Sequence, residues 1–336
     1  MPLPPLPFSV VVIALNEEQR IGDCLDSVRD LTDDIVVVDS HSRDRTVEIC
    51  VARGARVFQR RWSGYSEQKN FGNAQARHDW ILSLDADERV SPELARRLRE
   101  EFSGTPTRDV FSIRFENYFG PRKVRFGAWN PEWHPRVFDR RKVCWNGGEV
   151  HEGLCASEDT DHGRLRGPIR HLTVSSRTEL AKKSERYAAL FSMQLRRAGR
   201  RPSAVKIWLN PAWRFARDYL IRFGFLDGIA GVVIAWEGAR YTHLKYAGAY
   251  GARERAALLS RWAAAGTMGV MLAFAAINLP SMKSRVSPEN AGASGYAALA
   301  ASGLSTDPSS PAWVGNDDDC STRDLYCEDD DEDILV

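Results

Sequence analysis

Three short apolar runs, Phe8–Ala14, Ile35–Val38 and Trp80–Leu84, set the strongest limit on what this chain can fold into. All three are uncharged, and the first two are rich in β-branched residues, the pattern of strands buried on both faces of a parallel sheet. Between the first two, Ile21, Cys24, Leu25 and Val28 recur at three and four residues, as on one helix face. Between the second and third lie a helical stretch around Thr46–Arg53, a short strand at Ala55–Gln59 and a helix around Glu67–Ala76. Strands alternating with helices predict a doubly wound α/β half.

In such sheets ligands gather beyond the carboxyl ends of the strands, where strand order reverses. That rule selects Leu15-Asn16-Glu17, Asp39-Ser40-His41-Ser42 and Asp85-Ala86-Asp87. The last is the sharpest signal. Two carboxylates at alternate positions after an apolar strand raise each other's pKa unless a cation compensates them. A divalent metal, Mg²⁺ or Mn²⁺, is the simplest such cation, held by one or two carboxylates and by substrate phosphates. Ser91-Pro92-Glu93 explains the next helix start as a cap followed by proline, but leaves Asp85 and Asp87 unexplained. Glu88 is expected to be a solvated turn residue.

The segment from Asp39 to Thr46 follows a strand and opens a helix, where hydroxyls and backbone amides can receive polar groups of a nucleotide. Ser42 or Asp44 would also serve as a cap. Neither GxGxxG nor GxxxxGK[ST] is present, so a nucleotide would be held by metal and side chains instead. Lys69, in Gln68-Lys69-Asn70 on the helix before the third run, is expected either as solvated surface or beside bound phosphates.

Residues 110–172 read as short strands (Val110–Phe115, Val137–Phe138, Val143–Trp145) broken by Gly, Pro and Trp, a mixed second half with long loops. Here Glu132, Glu149 and Glu152 stand near Trp129, Trp133 and Trp145, an aromatic setting that suits a sugar and raises a carboxylate toward a useful general base. From Glu179 to about Ala252 the chain is helical, with Trp213, Tyr219, Leu220, Phe223 and Trp236 set among Arg214, Arg217, Arg222 and Arg240. A membrane-surface segment needs such basic aromatic helices, and a helical cap on the α/β domain would explain them as well. Residues 262–282 are uncharged and long enough to cross a bilayer, though diluted by Gly, Thr, Asn, Ser and Ala. Residues 316–333 hold ten acids against Arg323, and the composition beyond Ser281 predicts a disordered tail.

The 336 residues are 43% hydrophobic and 27% charged, enough for a substantial core. A formal net charge of +1 argues against nucleic acid as a partner. The N-terminus lacks the basic and apolar regions of a secretory signal, and the six cysteines form no CxxC pair, so a cytoplasmic, reduced protein is expected.

Taken together, "SVVVIALNEEQRIGDCLDSV", "IVVVDSHSRDRTVEIC", "GARVFQRRWSGYSEQKNFG", "DWILSLDADERVSPEL", "GAWNPEWHPRVF", "VHE" and "FLDGIAGVVIAWEGARYTHLKY" resemble GT-A glycosyltransferases of family 2, in particular the lipopolysaccharide-core β-1,4-glucosyltransferase group. The resemblance covers roughly residues 8–250. It implies a GT-A nucleotide-binding domain over residues 8–175, followed by the basic aromatic helical extension over 176–255; it fades near Ala252, and the apolar segment at 256–280 and the disordered acidic tail from 281 are expected from composition alone. It further implies a UDP-sugar donor, UDP-glucose or a relative, contacted by Ala14, Leu15, Asn16, Glu17, Asp39, Ser40, Lys69, Asn70 and Asp85. Asp85 and Asp87 would be the metal-binding DxD, with His171 a further ligand and His151 its rival. Glu132 would be the catalytic base, with Glu152 the alternative, and Arg136 would steady a diphosphate or an acceptor phosphate. His41 stands where the family pattern has glycine, in a turn that asks for positive φ.

The expected reaction is an inverting transfer to a hydroxyl of a cell-envelope glycolipid such as lipopolysaccharide core, at the inner face of the cytoplasmic membrane. Transfer to a polyprenyl phosphate, which needs no general base, is the closest rival. A silent nucleotide-sugar-binding scaffold is the rival from another class.

Overall fold

The uncharged run at Phe8–Ala14 forms strand β1, buried along its whole length. A computed structural model of the protein describes residues 4–147, 152–251 and 254–255; the apolar run 262–282, the acidic tail and His151 lie outside the described residues. The chain divides into two compact units. The first takes in the described residues of Met1–Glu116 and Pro131–Leu172, the second those of Asn117–Asn130 and Thr173–Gly292. The second unit thus includes a short segment inside the span expected for the first domain.

In the first unit β1 is followed by α1 (Ile21–Asp26), β2 (Ile35–Asp39), α2 (Thr46–Ala52), β3 (Arg56–Gln59), α3 (Tyr65–Gln75) and β4 (Trp80–Asp85). Val28, expected on the α1 face, lies past the end of that helix yet is fully buried. A short β5 (Glu88–Val90) leads into α4 (Pro92–Glu101), whose start Ser91 caps by accepting a 3.1 Å bond from Leu94 N, with Pro92 at the first helical position. Then come β6 (Val110–Phe119), β7 (Arg122–Lys123), β8 (Trp133–Asp139), β9 (Val143–Gly147), β10 (Glu152–Ala156) and β11 (His162–Val174).

The strands of the large sheet run in the order β3-β2-β1-β4-β8-β6-β11-β5, with β7 beside β6 and a separate hairpin of β9 and β10. β1 pairs in parallel with β2 and with β4, whereas β8 is antiparallel to β4 and β5 to β11. This is an α/β sheet, parallel where the sequence shows continuous apolar runs and mixed where it does not.

Alternation along β1 divides the core. Phe8, Val10 and Val12 pack with Ile21, Leu25, Leu94 and Leu98 on one face, and Val11 and Ile13 with Val36, Val38 and Phe138 on the other. On the second face α3 approaches closely because it carries Gly72: a Cβ there would meet Val11 Cγ1 at 2.5 Å and Val38 Cγ2 at 3.0 Å.

The second unit is helical, built on α5 (Arg177–Arg197), α6 (Ala204–Ala216) and α7 (Ile229–Ala247) around a small core of Leu195, Ile207 and Tyr246. Its helicity is interrupted between α6 and α7 by one π turn (Arg217–Ile221) and one 3-10 turn (Gly224–Asp227). Among the described residues no helix is long and apolar enough to cross a membrane.

Candidate active site

From β1 the chain steps outward through β2 and β3, then returns to β4 on the other side of β1. Strand order therefore reverses between β1 and β4, and their carboxyl ends open onto the crevice where sheets of this kind bind ligands. Ala14 and Leu15 close the end of β1, both buried.

The loops after β1 and β2 are tied to each other. Asp39 is fully buried, and its carboxylate accepts from the Ser42 amide (2.9 Å) and hydroxyl. The Ser42 hydroxyl accepts from Asn16 N (2.8 Å), Asn16 Oδ1 from Arg43 N (2.8 Å), and Thr46 Oγ1 from Glu17 N (2.8 Å). Each loop contains one left-handed residue, Asn16 at φ 56° and His41 at φ 62°. Asparagine tolerates that region; the imidazole at 41 has a higher steric cost, of a kind that clusters at functional sites. Ser40 is buried beneath, its hydroxyl accepting from the Gln68 amide (3.1 Å).

The acidic turn after β4 splits in two directions. Asp85 faces cations: Lys69 Nζ lies 3.4 Å from its Oδ1 and Arg136 3.3 Å from its Oδ2. Lys69 is 1% exposed and sits 4.6 Å from the centroid of the Trp145 ring. Burial pushes the Asp85 carboxyl up, but Lys69, Arg136 and His171 outweigh it and hold the group well below the usual carboxylate range. Asp87 turns the other way, toward His171, whose Nε2 is 3.5 Å from Oδ2. The imidazole is brought there by the antiparallel pairing of β5 with β11, which sets His171 opposite Glu88, and by the 3.0 Å bond from Leu172 N to Asp87 O.

Glu88 is not the solvated turn residue expected. It is 1% exposed, accepts from Arg136 at 2.7 Å and from Asp85 N at 3.2 Å, and burial together with Asp85 raises it to about 7 against the pull of Arg136. The short strand β5 aims the side chain inward, and Arg136 on β8 meets it there. Arg136, expected at a phosphate, accordingly lies within the wall of the site, its guanidinium over the Phe115 ring.

Phe115 links three functional groups, since the rings of His134 (4.7 Å) and His171 (5.6 Å) pack against it as well. His134 Nε2 is 2.8 Å from Glu132 Oε1, and both side chains are partly exposed. Asn70, expected at the nucleotide, makes a two-bond clamp on the backbone of Trp145 (2.7 and 2.9 Å), joining α3 to β9. Glu152 opens β10, and its side chain lies outside the described residues.

Sequence reasoning missed the roles of His134, Glu88, Phe115 and Gln68. A signal existed for one of them: Glu132 and His134 are two residues apart at the start of β8, the spacing that puts side chains on one face.

The oxygen and nitrogen donors of Asp87 and His171 suit Mg²⁺ or Mn²⁺, with further positions left to substrate oxygens and water. Among the described residues no group of three or more His, Cys, Asp or Glu side chains is placed to hold a metal ion. Asp85, drawn between two cations, stands beside this pair rather than completing a cage with it.

A family description, Glycosyl transferase family 2, matches residues 9–156. The lipopolysaccharide core biosynthesis glycosyltransferase LpsC of Rhizobium meliloti is 29% identical over 270 residues, which are 77% of this chain and 96% of LpsC. An uncharacterized glycosyltransferase of Rickettsia bellii is 28% identical over 243 residues, 67% of this chain and 80% of the relative. Among solved structures, glucosyl-3-phosphoglycerate synthase from Mycobacterium tuberculosis, in complex with Mn²⁺, UDP-glucose and phosphoglyceric acid, aligns at 25% identity and a TM-score of 0.28 over 34% of this chain; the match spans 44% of the synthase, less than half its length. The stretch that matches Glycosyl transferase family 2, residues 9–156, holds both the switch point between β1 and β4 and the acidic turn that closes β4, so this part of the chain is similar to that family where its candidate site lies.

Proposed function

We propose that this chain is an inverting glycosyltransferase that moves a sugar, glucose, from a UDP-sugar to a hydroxyl of a cell-envelope glycolipid such as lipopolysaccharide core. The observation that carries the reading is the divided acidic turn: Asp87 meets His171 while Asp85 is held by Lys69 and Arg136, all at the crevice bordered by the Asp39 loop. Likeness to LpsC over nearly all of that protein supports the glycolipid acceptor. The transferase domain would span 8–175, and the basic aromatic helices of 176–255 would rest on the inner face of the cytoplasmic membrane.

Asp39, Ser40 and the turn from Ala14 to Glu17 receive the nucleoside, and Lys69 places positive charge beside the phosphates. Asp87 and His171, with Asp85 adjoining, would hold a divalent ion, which when bound would supply a Lewis acid to offset the charge of the diphosphate. Glu132 accepts the proton of the acceptor hydroxyl as that oxygen bonds to the anomeric carbon and the bond to UDP breaks on the opposite face. His134 holds the carboxylate of Glu132 in one orientation.

The test is UDP release from UDP-glucose with glycolipid acceptor. Asp87→Ala should abolish it, and full, metal-independent turnover in that variant would overturn the proposal. Glu132→Gln should keep donor binding and lose turnover by about 10²- to 10⁴-fold, the contribution usual for a general base. A mild effect would point instead to an acceptor that is already an anion, as a polyprenyl phosphate is.

A further inference from the structure

Within the second unit, the connection between α6 and α7 presents a run of apolar side chains to solvent. Leu220, Ile221, Phe223, Phe225, Leu226 and Ile229 are 44 to 72% exposed, and they follow one another along two turns and the first residue of α7. Isolated exposed apolar residues need no explanation, but a contiguous group marks an interaction surface. The backbone there is strained as well: Phe223 adopts a left-handed conformation at φ 58°, which a bulky residue rarely does. That conformation, with Leu226 N bonded to Phe223 O and Gly228 N to Phe225 O, forms the knuckle that displays the group.

The knuckle is built firmly. Asp227 accepts from Arg125 N (3.0 Å) and Phe126 N (2.8 Å), and Gly127 N donates to Arg222 O (2.9 Å). The approach of Gly231 to Gly224 leaves no room for a Cβ, since one at 231 would lie 1.8 Å from Gly224 O. Next to the apolar group is a cluster of cations. Asp218, 1% exposed, receives Arg214 at 2.6 Å, Arg217 at 3.1 Å and Arg222 at 3.9 Å. One carboxylate against three guanidiniums leaves an excess of positive charge, and the Arg222 side chain is 47% exposed.

Apolar side chains at the tip with fixed guanidiniums beside them complement an anionic bilayer, whose phosphates lie at the level of the cations while the acyl boundary receives the apolar group. Among the described residues no helix is both long and apolar enough to cross a membrane. We infer that residues 220–229 form a membrane-insertion knuckle, flanked by Arg217 and Arg222, that seats this unit on an anionic lipid surface. This locates, at named residues, the membrane contact assumed in the proposed function.

The experiment is co-sedimentation of the full chain with vesicles of phosphatidylcholine alone or mixed with phosphatidylglycerol, at low and high salt, with sedimentation velocity and UDP release measured in parallel. The protein should bind the anionic vesicles, more weakly in salt. Leu226→Asp with Ile229→Asp should weaken binding by about tenfold or more, and Arg222→Glu should remove most of its salt dependence. All three positions are exposed, and an unchanged melting temperature confirms that the variants fold. The inference is overturned if the wild-type chain does not bind, if the variants bind equally well, which would place the contact elsewhere such as residues 262–282, or if they change only the oligomeric state, which would make a second copy the occupant. Loss of UDP release in the wild-type chain would sink the glycosyltransferase reading and leave the vesicle result standing.

Discussion

Glu88 gives a prediction whose sign and size follow from its surroundings. Its carboxyl titrates near 4.5 in an open chain and is raised to about 7 in the fold by burial and by Asp85. Below both values the group is protonated in either state and costs nothing. As pH rises the unfolded chain gives up its proton first, so stability falls until pH has passed through about 7. The gap corresponds to about 3 kcal/mol in full, most of it appearing between about pH 5 and pH 8. Glu88→Gln removes the titrating group while keeping an oxygen for Arg136. Urea unfolding of both proteins at the two pH values isolates the effect, because other carboxylates contribute alike to each and cancel in the difference. Relative to the variant, the wild-type protein should be weaker at the higher pH by roughly 2 to 3 kcal/mol more than at the lower. A difference that stays constant across that range would refute the account, and with it the picture of Glu88 as a buried acid sharing Arg136 with Asp85.

Two further outcomes follow. Gly72→Ala should destabilise the fold by about 1–3 kcal/mol despite the better helix propensity of alanine, because the new methyl has to displace Val11 and Val38; a stability gain in denaturant would show that α3 can move away from the sheet. His134→Ala should lower kcat about tenfold with little change in KM for the donor, as expected when a carboxylate is left unoriented, and His134→Gln should restore part of the loss; equal defects in both variants, or a change confined to KM, would assign His134 another role.

The parallel half was legible because its strands are covered on both faces, so β1, β2 and β4 read as unbroken apolar runs with their loops marked by polarity. Ser91-Pro92 was legible for a local reason, as the cap and the first helical residue are adjacent. Glu88 was not, since its burial depends on Arg136, which comes from another strand and has no local pattern tying it to the acidic turn. The placement of Asn70 on the Trp145 backbone was hidden in the same way. Alternating exposure along the antiparallel strands weakened the signal over 110–172, and only the register of β5 against β11 shows how close His171 comes to Asp87.

That register bears on when the protein can first work. A chain leaves the ribosome N-terminus first, and the strands from β1 to β4, with their own helices, are made early enough to present Asp87 while the rest is still being synthesised. The imidazole opposite it arrives on the last strand of the sheet. Under the proposed function, a nascent or truncated chain ending before β11 would carry Asp87 without His171, one of the two side chains proposed to hold the metal.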